Sequence, residues 1–88
     1  MDEKITFYQH DDFPWVLVKV TDRSWFESFD YDKKKWVRDP DMFYRVYEDD
    51  EYHEISEKEA DEIIEKIPDG LKELSDEEAG NVLESIFG

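Results

Sequence analysis

The sequence predicts a small α+β domain, in which an antiparallel β-meander of three to four strands packs against two C-terminal amphipathic helices. Three observations support this fold class: apolar residues recur with period two between residues 15 and 38, two helical stripes follow residue 56, and 88 residues suffice for one hydrophobic core. We therefore expect residues 1–88 to form a single domain with an aromatic, β-rich half (1–55) and an acidic, helical half (56–88).

The first half of the chain has the alternation of β-strands. Val16, Val18 and Val20 share one face of a predicted strand at 15–21. An aromatic run at 25–31 follows a polar connection, and a second polar turn leads to a short strand at 36–38. Residues 4–8 are expected to add an edge strand.

Residues 40–47 leave two interpretations open. Asp39 and Pro40 are typical of the N-cap and first turn of a helix, and Phe43, Val46 and Tyr47 have helical spacing. The same segment is rich in strand-forming residues, so a hairpin with residues 52–55 is the alternative. We favour the short helix.

Two amphipathic helices follow, each with a capping box at its start. Ser56 with Glu59 opens the first helix, and Ser75 with Glu78 opens the second. Apolar residues then recur at positions i, i+3, i+4 and i+7 of each helix. The predicted core joins strand residues to both stripes: Val16, Val18, Val20, Phe29, Trp36, Ile55, Ile63, Ile64, Ile67, Val82, Leu83 and Ile86.

Composition excludes several classes of ligand and location. The net charge of −15 disfavours direct binding of nucleic acid, because affinity for phosphates comes from clustered lysine and arginine. The longest apolar run, residues 15–18, is far shorter than the roughly 20 residues that span a membrane. The first residues lack the basic-then-apolar order of a secretion signal. We expect a cytoplasmic protein without membrane contact.

The side chains available for catalysis are few. Cysteine is absent, and three glycines are too few for a phosphate-binding loop. His10 and His53 stand next to acids, without the spacing of a metal site or a nearby nucleophilic serine, so both are predicted to be surface residues. We therefore expect a protein that is not an enzyme and has no metal or other cofactor.

The acidic charge is concentrated in one part of the chain. Residues 48–88 hold 16 acids and 3 bases, whereas residues 1–47 hold 10 acids and 8 bases. Acids in first helical turns are favoured by the helix dipole, but Glu57, Asp61 and Glu65 repel one another at i, i+4 spacing. The candidate partner-binding surface combines this stripe with the segment before it: Glu48, Asp49, Asp50, Glu51, Glu54, Glu57, Asp61 and Glu65.

Dispersed carboxylates can imitate the phosphates of nucleic acid and cover a basic protein surface. In size and charge the chain resembles anti-restriction and anti-CRISPR inhibitors and nuclease immunity proteins, and this resemblance implies a protein partner with a basic, nucleic-acid-binding surface. The simplest alternative is that the acids serve solubility alone.

A second hypothesis uses the aromatic half, because 13 of the 14 aromatic residues precede residue 53. Trp15, Trp25 and Tyr44 would then belong to an uncovered aromatic sheet face that serves a dimer or an adaptor interface. The sequence leaves open whether the protein is a monomer or a homodimer.

Overall fold

The computed structural model describes residues 3–48, 50–68 and 71–87. Within these residues a five-stranded antiparallel sheet packs against helices, which confirms the α+β class and adds one strand to the number expected. None of the described helices has the length and apolar character needed to cross a membrane. The elements follow in the order β1 (Ile5–His10), β2 (Leu17–Thr21), β3 (Trp25–Asp30), β4 (Lys35–Arg38), α1 (Met42–Tyr47), β5 (Tyr52–Ile55), α2 (Glu57–Lys66), a 3₁₀ turn (Leu71–Glu73) and α3 (Asp76–Phe87).

The sheet has the strand order β4-β3-β2-β1-β5. Strands β1 to β4 form the predicted meander, and β5 then returns to pair with β1, where Ile55 lies opposite Phe7. The strand predicted at 4–8 forms as β1, but its predicted edge position is wrong, because β1 lies between β2 and β5. Helix α1 confirms the helical interpretation of residues 40–47, and the alternative hairpin with 52–55 does not form.

The tight turn between β2 and β3 is held by two hydrogen bonds to Lys4, the residue before β1. Asp22 and Arg23 both occupy the left-handed region, with φ of 52° and 63°, where residues other than glycine are disfavoured. Asp22 donates its backbone N–H to the carbonyl of Lys4 over 2.8 Å and accepts the N–H of Lys4 at Oδ1 over 3.0 Å. These two bonds offset the cost of the backbone conformation.

Apolar side chains form two clusters, one on each face of the sheet. The first cluster joins the sheet to α2 and contains Phe7, Leu17, Ile55, Ala60 and Ile63. The second joins the sheet to α1 and contains Val18, Val20, Phe26 and Met42. Consecutive residues of a strand point to opposite faces, so Leu17 and Val18 enter different clusters. The sequence predicted that the two C-terminal helices cover the sheet and placed no helix on a second face, which α1 covers.

The predicted core is correct in part. Val18, Val20, Ile55, Ile63, Ile67 and Leu83 are buried. The other predicted core residues are only half-buried: Val16, Phe29, Trp36, Ile64, Val82 and Ile86. Phe26 and Met42 were missed because they belong to the cluster that α1 creates.

Both predicted capping boxes form. Ser56 Oγ accepts the backbone N–H of Glu59 over 3.1 Å, and Ser75 Oγ accepts that of Glu78 over 3.2 Å. Each serine hydroxyl also bonds to the carboxylate of the same glutamate. The two helices therefore begin where the local sequence indicates.

Tyr31 supplies a prediction for stability at high pH. Its hydroxyl donates to the carbonyl of Trp15, and burial raises the pKa of Tyr31 above the ordinary value of 10.0. As pH rises above that value, the unfolded chain loses a proton that the folded chain retains, so the free energy of unfolding falls. In Tyr31→Phe this fall should be shallower, as measured by urea denaturation between pH 8 and 11. Equal slopes in the two proteins would contradict the prediction.

Candidate functional site

The structure divides the predicted acidic surface between two elements. The first part, the α2 stripe, consists of Glu57, Asp61 and Glu65, which are all exposed along α2. The buried side of this helix packs Ala60 and Ile63 against the sheet. The groove beside Glu65 is lined by Phe29, Tyr31 and Ile64 among others. Phe29 and Ile64 pack against the cluster between the sheet and α2, so the stripe lies over this face of the sheet.

The second part, the β5 acidic group, consists of Glu48, Asp50, Glu51 and Glu54, which are all exposed. Glu54 lines a different groove, together with Tyr8 and Tyr47. Burial raises the pKa of Tyr8, and the neighbouring Tyr47 and Glu54 raise it further. Tyr8 packs against the cluster under α1, so Glu54 lies on the opposite face of the sheet from α2. The predicted Asp49 lies outside the described residues.

Neither part of this surface is neutralised by described basic residues. Among the residues whose side chains the structure describes (3–48, 50–68, 71 and 73–87), no lysine or arginine forms an ion pair with a carboxylate of the α2 stripe or of the β5 acidic group. Glu51 alone among them contacts a histidine, the ring of His10. The carboxylates of the α2 stripe are therefore available to cationic groups of a partner.

His10 is buried, with 7% of its surface exposed, so its predicted surface position is wrong. Its Nδ1 accepts the backbone N–H groups of Asp12 over 3.0 Å and Phe13 over 3.1 Å. An acceptor nitrogen carries no proton, which assigns the proton of the neutral ring to Nε2. Nε2 then donates to Glu51 over 3.1 Å.

The second histidine forms the reciprocal contact between the same two segments. His53 Nδ1 bonds to Asp11 Oδ1, and the backbone N–H of Asp11 donates to the carbonyl of Glu51 over 2.7 Å. His10 and His53 therefore bind the end of β1 to the start of β5. The sequence concealed these pairs because His10 and Glu51 are 41 residues apart. Both ring nitrogens of His10 are occupied, which makes it a structural residue.

The predicted aromatic face is not a single surface. Trp15 is half-buried and contacts Phe87, with 6.5 Å between ring centroids. Trp25 is 44% exposed beside Arg38, whose guanidinium carbon lies 4.0 Å from the ring centroid. Tyr44 is 60% exposed on α1. These three side chains come from the turn before β2, from β3 and from α1, and they have no ring contact with one another.

A continuous group of exposed aromatic residues does occur on α1. This group, the α1 aromatic ridge, consists of Phe43, Tyr44 and Tyr47. Phe43 contacts Tyr44 and Tyr47 edge to face, at centroid distances of 5.4 and 5.5 Å. Phe43 and Tyr47 also contact the buried ring of Phe26. The i, i+1, i+4 spacing of these residues was the available signal in the sequence.

No family model, curated protein or solved structure matches this chain. Among the described residues, no group of three or more histidine and acidic side chains could hold a metal ion. Function is therefore proposed from the exposed charges and aromatic rings of the chain itself.

The contact between β1 and β5 gives a prediction for stability. His10→Ala should lower the free energy of unfolding by about 2 kcal/mol, because it leaves two backbone N–H groups and Glu51 without their partner. The matched variant His53→Ala removes an exposed contact and should cost at most about 0.5 kcal/mol. Urea denaturation of both variants measures the difference. Equal losses would show that His10 does not have the structural role assigned to it.

Proposed function

We propose that this chain is a non-catalytic interaction domain, which inhibits a nucleic-acid-handling protein by covering its basic surface with the α2 stripe. The observation that carries the proposal is the exposure of Glu57, Asp61 and Glu65 without an ion pair to any described lysine or arginine. A basic partner would supply the counter-charges that these carboxylates lack.

Helix α2 holds the stripe rigidly. Ser56 caps its first turn, and Ala60 and Ile63 pack against the sheet on its buried side. Binding through such a helix requires no ordering of the backbone, so little conformational entropy is lost. This rigidity favours recognition by a fixed arrangement of basic side chains over a loose attraction between opposite charges.

The spacing of the stripe supports mimicry of nucleic acid. Each i, i+4 step along a helix advances about 6 Å. Two base-pair steps along one strand of DNA advance a similar distance, about 6.8 Å. Measured along the two helix axes, Glu57, Asp61 and Glu65 therefore supply about one negative charge for every two phosphates of a DNA strand, in an evenly spaced row that a phosphate-binding channel could contact.

Solubility is the competing explanation for the same charges. The two explanations differ in their dependence on position, because solubility depends on total charge and recognition depends on where the charges lie. The C-terminal segment offers a matched comparison, since Glu73, Glu77 and Glu84 are exposed there.

Charge reversal of the α2 stripe is expected to abolish partner capture. The variant E57K/D61K/E65K and the charge-matched control E73K/E77K/E84K would each be immobilised and exposed to lysate of the native host. The stripe variant should retain its main basic partner at least about tenfold less than the wild type, and the control about as well. Mass spectrometry measures capture, and elution by rising salt tests its electrostatic character.

The captured protein would then be tested for duplex DNA binding with and without this chain. Competition with DNA supports the inhibitor proposal. Equal losses of capture in both triple variants, or capture that does not weaken with salt, would contradict recognition through the stripe.

The α1 aromatic ridge supports a second candidate function, a dimerisation or adaptor domain. Tyr44 is 60% exposed, and its ring adjoins the exposed Phe43. Clustered aromatic rings are enriched at the centres of protein interfaces because they bury large areas at little entropic cost. The ridge replaces the sheet face that the sequence predicted for this role.

This second function predicts an association that is insensitive to salt. Sedimentation velocity should show a dimer that persists in 1 M NaCl, where the Debye length falls to about 3 Å. The variant F43S/Y44S should dissociate this dimer, whereas the control Trp25→Ser, also exposed, should not. A wild-type protein that stays monomeric at high salt would exclude the ridge as a dimer interface.

A further inference from the structure

The two edges of the sheet carry opposite charges. Strand β4 forms one edge and β5 the other. The basic edge, defined by Lys33, Lys35 and Arg38, is exposed at and just before β4. The acidic edge, defined by Asp50 and Glu54, is exposed at and just before β5.

Two of the acids close to the basic edge, Asp30 and Asp39, accept local hydrogen bonds. Asp30 Oδ1 accepts the backbone N–H groups of Asp32 and Lys33 over 2.9 and 3.1 Å. Asp39 Oδ2 accepts the hydroxyl of Ser28 over 3.1 Å. These bonds hold two carboxylates against the turn and against β3, while the exposed side chains of the edge itself are cationic.

The two edges cannot neutralise each other within one molecule. Strands in a sheet are spaced about 4.8 Å apart, so β4 and β5 are separated by about 19 Å. This separation exceeds the Debye length of about 8 Å at physiological ionic strength. Each edge therefore presents its own charge, and the complementary edge belongs to another copy of the chain.

We propose that a second copy of this chain docks its basic edge against the acidic edge of the first and extends the sheet from β5 to β4. Both edges offer an outer row of backbone groups, the usual template for strand addition. Opposite charge selects this pairing, because two like edges would place like charges side by side. The contact joins different surfaces of the two copies, so each added copy leaves edges open and the assembly grows as short linear oligomers.

The net charge of −15 makes the association depend on salt in a particular way. At 0.01 M salt the Debye length is about 30 Å, so repulsion between whole molecules opposes contact. At 0.1 M the Debye length is about 10 Å, so the repulsion between whole molecules is largely screened while the shorter-range attraction between the edges remains. At 1 M it is about 3 Å, and the edge contacts are screened as well. Association is therefore strongest at intermediate salt.

Sedimentation velocity across these three salt concentrations tests the proposal, with charge-swapped variants that exchange one edge at a time. K33E/K35E gives a chain with two acidic edges, and D50K/E54K gives a chain with two basic edges. Each variant alone should associate about tenfold more weakly than the wild type, and their mixture should recover association. The controls K58E/K66E and E77K/E84K make the same changes of net charge on α2 and α3 and should associate as the wild type does. Circular dichroism verifies that each variant is folded.

Recovery in the mixture, together with the maximum at intermediate salt, supports edge-to-edge docking. A wild-type protein that is monomeric at all three salt concentrations overturns the docking proposal. The edge charges would then serve to prevent strand addition. Association that strengthens steadily with salt also overturns it, because that behaviour belongs to an apolar interface. The α2 stripe takes no part in this contact, so E57K/D61K/E65K tests partner capture independently of it.

Discussion

Burial of β2 on both of its faces is the constraint on which the rest of the structure depends. Leu17 is 1% exposed and Val18 is fully buried, yet their side chains enter opposite clusters. A sheet with a central strand of this kind needs apolar cover on both sides. Helix α2 supplies it beside Leu17, and α1 supplies it beside Val18 through Met42. The short aromatic segment before β5 therefore forms a helix, although several of its residues favour strands.

The positions of the candidate surfaces follow from this double cover. Because α1 lies on the sheet through Met42, its remaining aromatic residues project outward as the α1 aromatic ridge. Because α2 lies on the opposite face, its stripe is exposed on the other side of the molecule from Glu54. The acids that are adjacent in sequence thus become two separate surfaces. A partner that binds through charge would contact only one of these two acidic surfaces at a time.

The hydrogen bonds separate acids with structural roles from acids without them. Glu59 and Glu78 take part in the helix caps, and Asp22 accepts the hydrogen bond that holds the turn between β2 and β3. Glu51 accepts a hydrogen bond from Nε2 of the buried His10. The α2 stripe has no comparable contact among the described residues, and like charges at i, i+4 spacing destabilise a helix. Asp61 and Glu65 lie beyond the first turn of α2, so the helix dipole does not offset this repulsion for them, and a partner would explain their presence.

Local pattern determined the α+β class, the two capping boxes and the burial of Ile63 on α2. Each depends on residues a few positions apart, and this is the range over which helix periodicity and capping operate. Tertiary structure alone decided that β1 is an inner strand, that His10 is buried and that the acids divide between two faces. These outcomes depend on β5 pairing with β1, where Tyr8 lies opposite Glu54. Strands pair so that the apolar residues of both enter the same buried face of the sheet, and the alternation of residues within one strand does not show which other strand will be its neighbour.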